Sequence, residues 1–253
     1  MKLSGVIITY NEARNIRRCL LSLQEVCDEI LVLDSFSTDE TQAICQEFGV
    51  RFEQNPFEGH IQQKNEALKR ATHDWVLSLD ADEALTDELK KSIQTLKAQN
   101  PEPGIYAMNR LTNYCGQWIR HSGWYPDTKV RLVYKELAKW GGFNPHDQLL
   151  PLQDLKVQKL TGDLLHYSYY TKEDHFKQIA YFSKIAAQEL FVQKKHCSLL
   201  KLGVKVAAQF VKSYLIKLGF LDGLAGWQIA TRSAYATHQK YTLLRKMWKD
   251  AAA

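Results

Sequence analysis

Asp74-Trp75-Val76-Leu77-Ser78-Leu79-Asp80-Ala81-Asp82-Glu83 decides the fold, because an apolar run stops abruptly in two carboxylates spaced i, i+2. Alternate side chains of a strand share a face, so Asp80 and Asp82 can converge on one cation at the strand's C-terminal end. Two carboxylates that close repel each other unless a positive charge lies between them, and Mg²⁺ or Mn²⁺ prefers oxygen donors. Taken alone, the triplet reads equally well as a polar strand end or a helix N-cap.

Working outward, the first hundred residues alternate strand-like and helix-like segments. Apolar runs at 3–8, 29–34 and 75–79, with a weaker one at 50–53, predict strands. Between them, 12–23 (Ile16, Leu20 and Leu23 on one face), 39–48 and 61–71 predict helices. Ser37 and Glu40 have the spacing of a capping box for the middle helix. This alternation implies crossover connections and a mainly parallel sheet, whose ligands bind beyond the carboxyl ends of the strands. Three polar clusters gather there: Thr9-Tyr10-Asn11-Glu12, Asp34-Ser35-Phe36-Ser37-Thr38-Asp39, and Asp80-Ala81-Asp82.

Those clusters, together with Gln63-Lys64-Asn65 on a helix, resemble family 2 glycosyltransferases of the GT-A fold. Further segments are similar to the lipopolysaccharide-core branch, which includes bacterial β-1,4-glucosyltransferases: Gly123-Trp124-Tyr125-Pro126-Asp127 with Arg131-Leu132, residues 141–149, His166-Tyr167-Ser168-Tyr169, and Gly219-Phe220-Leu221-Asp222-Gly223. The resemblance implies an α/β class, a Rossmann-like nucleotide-diphospho-sugar transferase with a mainly parallel sheet flanked by helices and a C-terminal helical extension. The expected division is a catalytic domain over 1–170 (nucleotide-sugar half 1–100, acceptor half 101–170) and helices over 171–253. It also implies an inverting hexosyltransferase using a UDP-sugar donor, glucose from UDP-glucose, and a lipid-linked acceptor, the inner-core heptose of lipopolysaccharide.

The same resemblance distributes roles. Asp82 is the first-choice ligand for a divalent cation that stabilises charge on the departing diphosphate, with Asp80 at the ribose or the metal. Asp34 accepts a hydrogen bond from the base. Thr9, Tyr10, Glu12, Ser35 and Asp39 line the nucleotide slot, Lys64 approaches a phosphate and Asn65 shapes the pocket. Helix capping is the plain alternative for Asp34 and Asp39, and solvent exposure for Lys64. His166 is a third metal ligand in this reading, and a satisfied core histidine otherwise.

An acceptor hydroxyl also needs a base to take its proton. Related proteins carry a His-Glu pair where this chain has His146-Asp147, so Asp147 is the expected base, with Asp127 as runner-up or a turn aspartate. His146, Trp124, Tyr125 and Trp140 are expected at the acceptor, the aromatics stacking on sugar faces or serving as core.

At 253 residues the chain can bury a substantial core, and no linker or repeat marks a second independent domain. Cys19, Cys27, Cys45, Cys115 and Cys197 form no CxxC pair and are odd in number, which favours free thiols in a reducing compartment. The first apolar stretch is too short for a secretory core, and no window reaches the roughly 18 apolar residues of a membrane span. A cytoplasmic protein that can lie peripherally on the cytoplasmic face of the inner membrane is expected. In the C-terminal third, helical patterns cover 172–195, 198–218 and 224–248, and Leu200, Val204, Ala207, Val211, Leu215 and Leu218 fall on one arc beside Lys201, Lys205 and Lys212. That arc fits an anionic membrane surface or an ordinary core-facing helix.

Three other functions compete. A nucleotidyltransferase usually opens with a Gly-rich phosphate loop, whereas Gly5 is the only glycine before residue 49. A polyprenyl-phosphate sugar transferase would share the donor half and differ in acceptor. A basic binding module leaves the acidic strand ends unexplained, since they repel phosphate without a cation, and nucleic acid is not an expected partner.

Overall fold

The computed structural model describes residues 1–143 and 146–251, and the side chains of Phe143 and His146 lie outside that description. The chain runs β1 (Leu3–Thr9), α1 (Ile16–Gln24), β2 (Glu29–Asp34), α2 (Thr41–Glu47), β3 (Arg51–Gln54), α3 (His60–Arg70), β4 (Trp75–Asp80), β5 (Glu83–Leu85) and α4 (Asp87–Gln99). Then come β6 (Ile105–Tyr114), β7 (Gln117–Ile119), β8 (Asp127–Tyr134), β9 (Ala138–Phe143), β10 (His146–Pro151) and β11 (Gln158–Tyr169). Three helices close the chain: α5 (Lys172–Val192), α6 (Leu199–Val211) and α7 (Gly223–Asp250).

The main sheet is ordered β3-β2-β1-β4-β8-β6-β11-β5, with β7 on β6. Its first four strands are parallel, and their register sets Thr9 opposite Asp34 and Ile8 opposite Asp80. The expected polar clusters therefore end neighbouring strands. Beyond β4 the pairing turns antiparallel through β8 and β6, and β5 pairs antiparallel with β11, placing His166 opposite Glu83.

Contacts divide the chain into two compact units: Met1–Leu111 with Asp127–Tyr167, and Thr112–Pro126 with Ser168–Ala253. In the first, strand alternation builds a core on each sheet face. Leu3, Ile7, Leu77 and Leu79 meet α1, α2 and α4 on one side, while Val6, Leu31, Leu33 and Val76 meet Ala67 and Leu68 of α3 and Trp140 and Leu149 of the β9–β10 hairpin on the other. Each fully buried leucine or isoleucine contributes about 1.5–3 kcal/mol by leaving water, which outweighs the weak helix propensity of these short helices.

Two local expectations fail for the same reason. Helix α1 starts at Ile16 rather than near residue 12, and the Ser37/Glu40 capping box is absent: Glu40 makes no side-chain cap bond. Ser37 instead donates its N–H (2.8 Å) and its hydroxyl to Asp34. Asp39 does the capping, accepting the N–H groups of Thr41 and Ala13 at 3.0 Å each. The polar side chains at these strand ends bond to one another across the loops, which is stronger local organisation than a helix turn there would supply.

In the second unit, Tyr114, Trp124, Tyr169 and His175 form an aromatic cluster, with ring centroids 4.7–5.9 Å apart. Burial pushes the His175 imidazole down to about 4, so it is neutral near pH 7. The buried carboxylate of Asp222 accepts the N–H of His121 (2.9 Å) and of Arg120 (3.3 Å), and meets His121 Nδ1 at 2.9 Å. Gly226 sits where a Cβ would lie 1.7 Å from the carbonyl oxygen of Gly219. Gly226→Ala, which in an open helix would add stability, is expected to cost about 3 kcal/mol by overpacking; urea unfolding followed by circular dichroism measures it, and a neutral result would contradict this close approach.

Candidate active site

Strand β4 ends at Asp80, and residues 81–82 form a turn before β5. The two aspartates therefore do not lie on one continuing strand face as alternation predicts, and each has its own partners. Asp80 is gripped from both sides: Oδ1 lies 2.7 Å from Lys64 Nζ and Oδ2 lies 2.8 Å from Arg131 Nη2. Asp82 Oδ2 lies 3.2 Å from His166 Nε2, and the Asp82 carbonyl accepts the Tyr167 N–H at 2.9 Å, which ties the turn to β11.

Lys64 is not the exposed helix lysine that α3 alone suggests. Its side chain is 5 % exposed, and its ammonium also meets Asp147 Oδ2 at 2.7 Å. One buried cation thus bridges the expected base on β10 and Asp80, the last residue of β4. Its neighbour Asn65 faces β9, donating to the Trp140 carbonyl and accepting the Trp140 N–H, both at 2.9 Å. Asn65 shapes this region by holding a strand.

Behind Asp80 lies a set of charges to which the sequence alone assigns no role. Arg131 forks onto Glu83 through Nε (3.1 Å) and Nη2 (2.8 Å), and Glu83 is fully buried. Arg110 Nη1 approaches Glu83 at 3.6 Å, and its Nη2 meets Asp127 at 2.8 Å. Asp127, the alternative base, is thereby committed to Arg110 and to Lys129, 3.0 Å away. The ring of Trp140 lies against Lys64 and Arg131, whose charges sit 4.3 and 5.2 Å from ring centroids. Only 2 % of Trp140 is exposed, so it serves here as a buried face for cations and offers no surface for stacking on a sugar. The available sequence signal was Arg131 set within the apolar stretch Val130, Leu132 and Val133.

The electrostatics follow from this wiring. Burial pushes the Asp80 carboxyl upward, but Lys64 and Arg131 outweigh it and hold the group far below the ordinary carboxylate range. For Arg131, burial favours the neutral form, and Glu83 and Asp80 reverse that. Asp82 is lowered because His166 overcomes burial and the repulsion of Asp80. Glu12 moves the other way: burial raises it, Asp82, Asp39 and Asp80 add to the rise, and the Asn15 amide at 2.7 Å opposes it.

The remaining expected donor residues surround these strand ends. Asp34 is fully buried and accepts from Ser37 and, at 3.4 Å, from Gln54. Ser35 Oγ accepts from Gln63 at 3.1 Å. Thr9 Oγ1 is buried with no hydrogen-bond partner among the described residues, and Tyr10 is 59 % exposed. In the second unit, Trp124 belongs to the aromatic cluster, and Tyr125 lies under the Arg120 guanidinium at 5.5 Å. The His146 side chain, an expected acceptor contact, lies outside the described residues.

Among the described residues, no three His, Cys, Asp or Glu side chains form a ready cation cage. Asp82 nevertheless offers a hard ion a carboxylate, with His166 facing it, and Mg²⁺-type ions take one or two carboxylates and complete their shell with substrate phosphates and water.

Parallel strands ending in acidic clusters, continued by antiparallel strands and C-terminal helices, define the GT-A class of fold. Residues 4–151 match the sequence profile of Glycosyl transferase family 2, and the chain belongs to that family. An uncharacterized glycosyltransferase of Rickettsia typhi is 29% identical over 97% of this chain and 87% of its own length. The lipopolysaccharide core biosynthesis glycosyltransferase LpsC of Rhizobium meliloti is 25% identical over 96% of this chain and 94% of its own. Among solved structures, S. aureus TarS 1–349 in complex with UDP-GlcNAc matches over 99% of this chain and 92% of that one, with 16% identity and a TM-score of 0.47.

Proposed function

We propose that the protein is an inverting, divalent-cation-assisted hexosyltransferase that moves glucose from UDP-glucose onto the heptose of a lipopolysaccharide inner core, working at the cytoplasmic face of the inner membrane. The observation that carries this reading is the Lys64 ammonium, which holds Asp147 and Asp80 at 2.7 Å each and so brings a candidate base beside the acidic strand end. The likeness to LpsC along nearly the whole chain supports the acceptor class.

In this mechanism Asp147 accepts the proton of the acceptor hydroxyl as that oxygen bonds to the anomeric carbon. The bond from that carbon to the diphosphate breaks on the opposite side, which inverts the centre. Asp82 and His166 would hold the cation, with Asp80 beside them, and the cation would neutralise charge building on the departing diphosphate. Thr9, Tyr10, Glu12, Asp34, Ser35 and Asp39 would line the nucleotide; among the described residues the buried Thr9 hydroxyl has no hydrogen-bond partner. Lys64 orients the base.

The decisive experiment incubates the pure protein and Mn²⁺ with several nucleotide sugars and truncated core acceptors, then assigns the product linkage by NMR. A β-glucosyl heptose supports the proposal; transfer to a polyprenyl phosphate instead would replace the acceptor, and no transfer from any nucleotide sugar would overturn it. For the cation, Asp82→Ala is expected to weaken Mn²⁺ binding, read by electron paramagnetic resonance, by at least about tenfold. The same measurement on His166→Ala tests the third ligand, and unchanged Mn²⁺ affinity would remove it from the set.

A further inference from the structure

Charge is distributed unevenly along this chain. Residues 190–249 contain eleven Lys and Arg and a single acid, Asp222, in a protein whose net charge is only +5. That one acid is buried and bonded to His121, so the stretch exposes no negative side chain. Basic patches of this kind attract anions, but this one is interleaved with a second feature.

The apolar arc of α6 does not face a core. Leu202 is the buried residue of that helix, whereas Leu200 is 80 % exposed and Val204 61 %. The exposed apolar surface continues through the turn region after α6, a wide helical turn over Lys212–Ile216 and a tight one over Gly219–Asp222, into the first residues of α7: Leu215, Ile216, Leu221 and Leu224 are 52–70 % exposed. Lys201, Lys205, Lys212 and Lys217 are exposed among them. The turn is held in shape: Ser122 N–H donates to the Lys217 carbonyl at 2.9 Å, Ser213 Oγ donates to the Ser122 carbonyl at 3.2 Å, and Gly219 packs against Gly226 without room for a Cβ. These leucines are thus presented to solvent by fixed backbone, and large contiguous apolar surface of that kind marks an interaction site.

We infer that α6 and the turn through Leu224 form a docking surface for an anionic lipid bilayer, with Leu215, Ile216, Leu221 and Leu224 entering the acyl boundary and the four lysines meeting headgroup phosphates. Charge selects this occupant. A second copy would bring the same uncompensated lysines face to face, and like charges across an interface oppose association, whereas a basic amphipathic helix gains from both area and charge on anionic lipid. No helix among the described residues is long and apolar enough to cross a membrane, so the contact is interfacial. The purpose of this surface, reaching a lipid-linked acceptor, rests on the function proposed above; its existence does not.

The test is sedimentation of the full chain with equimolar phosphatidylcholine/phosphatidylglycerol vesicles and with phosphatidylcholine alone. Binding to the first and not the second is expected. Ile216→Glu/Leu221→Glu is expected to lose affinity at least about 100-fold, and Lys212→Glu/Lys217→Glu at least about 30-fold, with unchanged circular dichroism. Failure of the wild type to bind the anionic vesicles, or variants that bind like the wild type, would overturn the inference. So would a wild-type dimer in the ultracentrifuge that Ile216→Glu/Leu221→Glu dissolves. Vesicle binding needs no sugar transfer: binding without transfer sinks only the enzymatic reading, and transfer without binding sinks only this surface.

Discussion

Asp147→Asn is expected to lower kcat about 100- to 10,000-fold, the range that a positioned general base contributes, while UDP affinity changes less than about twofold, since a base contacts the acceptor and not the nucleotide. The amide keeps the shape of the carboxylate and still accepts a hydrogen bond from Lys64, so the hairpin stays in place and only proton acceptance is lost. Single-turnover transfer with saturating donor measures the first quantity and calorimetric titration with UDP the second. A variant with near-normal kcat would send the role to another group. Asp127, ion-paired with Arg110 and Lys129 much as Asp147 is with Lys64, is the next group to test. The result also separates chemistry from binding, because loss of UDP affinity in this variant would show that Asp147 supports the donor site through Lys64.

Arg131→Met has the largest expected effect on stability. Arg131 forks onto fully buried Glu83 and also holds Asp80 Oδ2, so its removal leaves two carboxylates in or near the core without that cation. Breaking a buried pair by deleting one partner costs about 3–5 kcal/mol, more than the pair itself need contribute, because the remaining charge stays uncompensated. For a chain of this size each kcal/mol moves Tm by about 2–4 °C, so a fall on the order of 10 °C is expected in a thermal melt. Arg131→Lys restores the charge without the two-pronged fork and should recover part of the loss. A change below about 1 kcal/mol in urea unfolding would mean that Arg110 alone satisfies Glu83, and the buried network would then be dispensable.

The donor half was the readable part of this chain. Strands at 3–9, 29–34 and 75–80 were visible because buried parallel strands must be apolar along their length, and each ends in polar residues where the sheet meets solvent. What the strand period misplaced was the relation of Asp80 to Asp82, since alternation describes a strand and the chain turns immediately after Asp80. The family resemblance points Lys64 toward a phosphate, but its two acidic partners come from residues 16 and 83 positions away, a distance that no local pattern encodes. Glu83 and Arg131 went unassigned for a related reason: each looks like a surface charge until its partner from another strand is known. Trp140 could have been either core or sugar platform, and burial beneath two cations made it core. In α6 the periodicity correctly grouped the apolar residues, yet periodicity reports a face and not what covers it, and this face is open.

Consecutive positions on α3 do two kinds of gripping: Lys64 takes the acid of β10, and Asn65 takes the main chain of β9 in both directions. The whereabouts of the Asp147 carboxylate is consequently inherited from a helix of the parallel-stranded part of the sheet instead of being set by the hairpin that carries it. If Asp147 is the proposed base, evolution can rewrite the rest of that hairpin to welcome a new sugar while the carboxylate keeps its address.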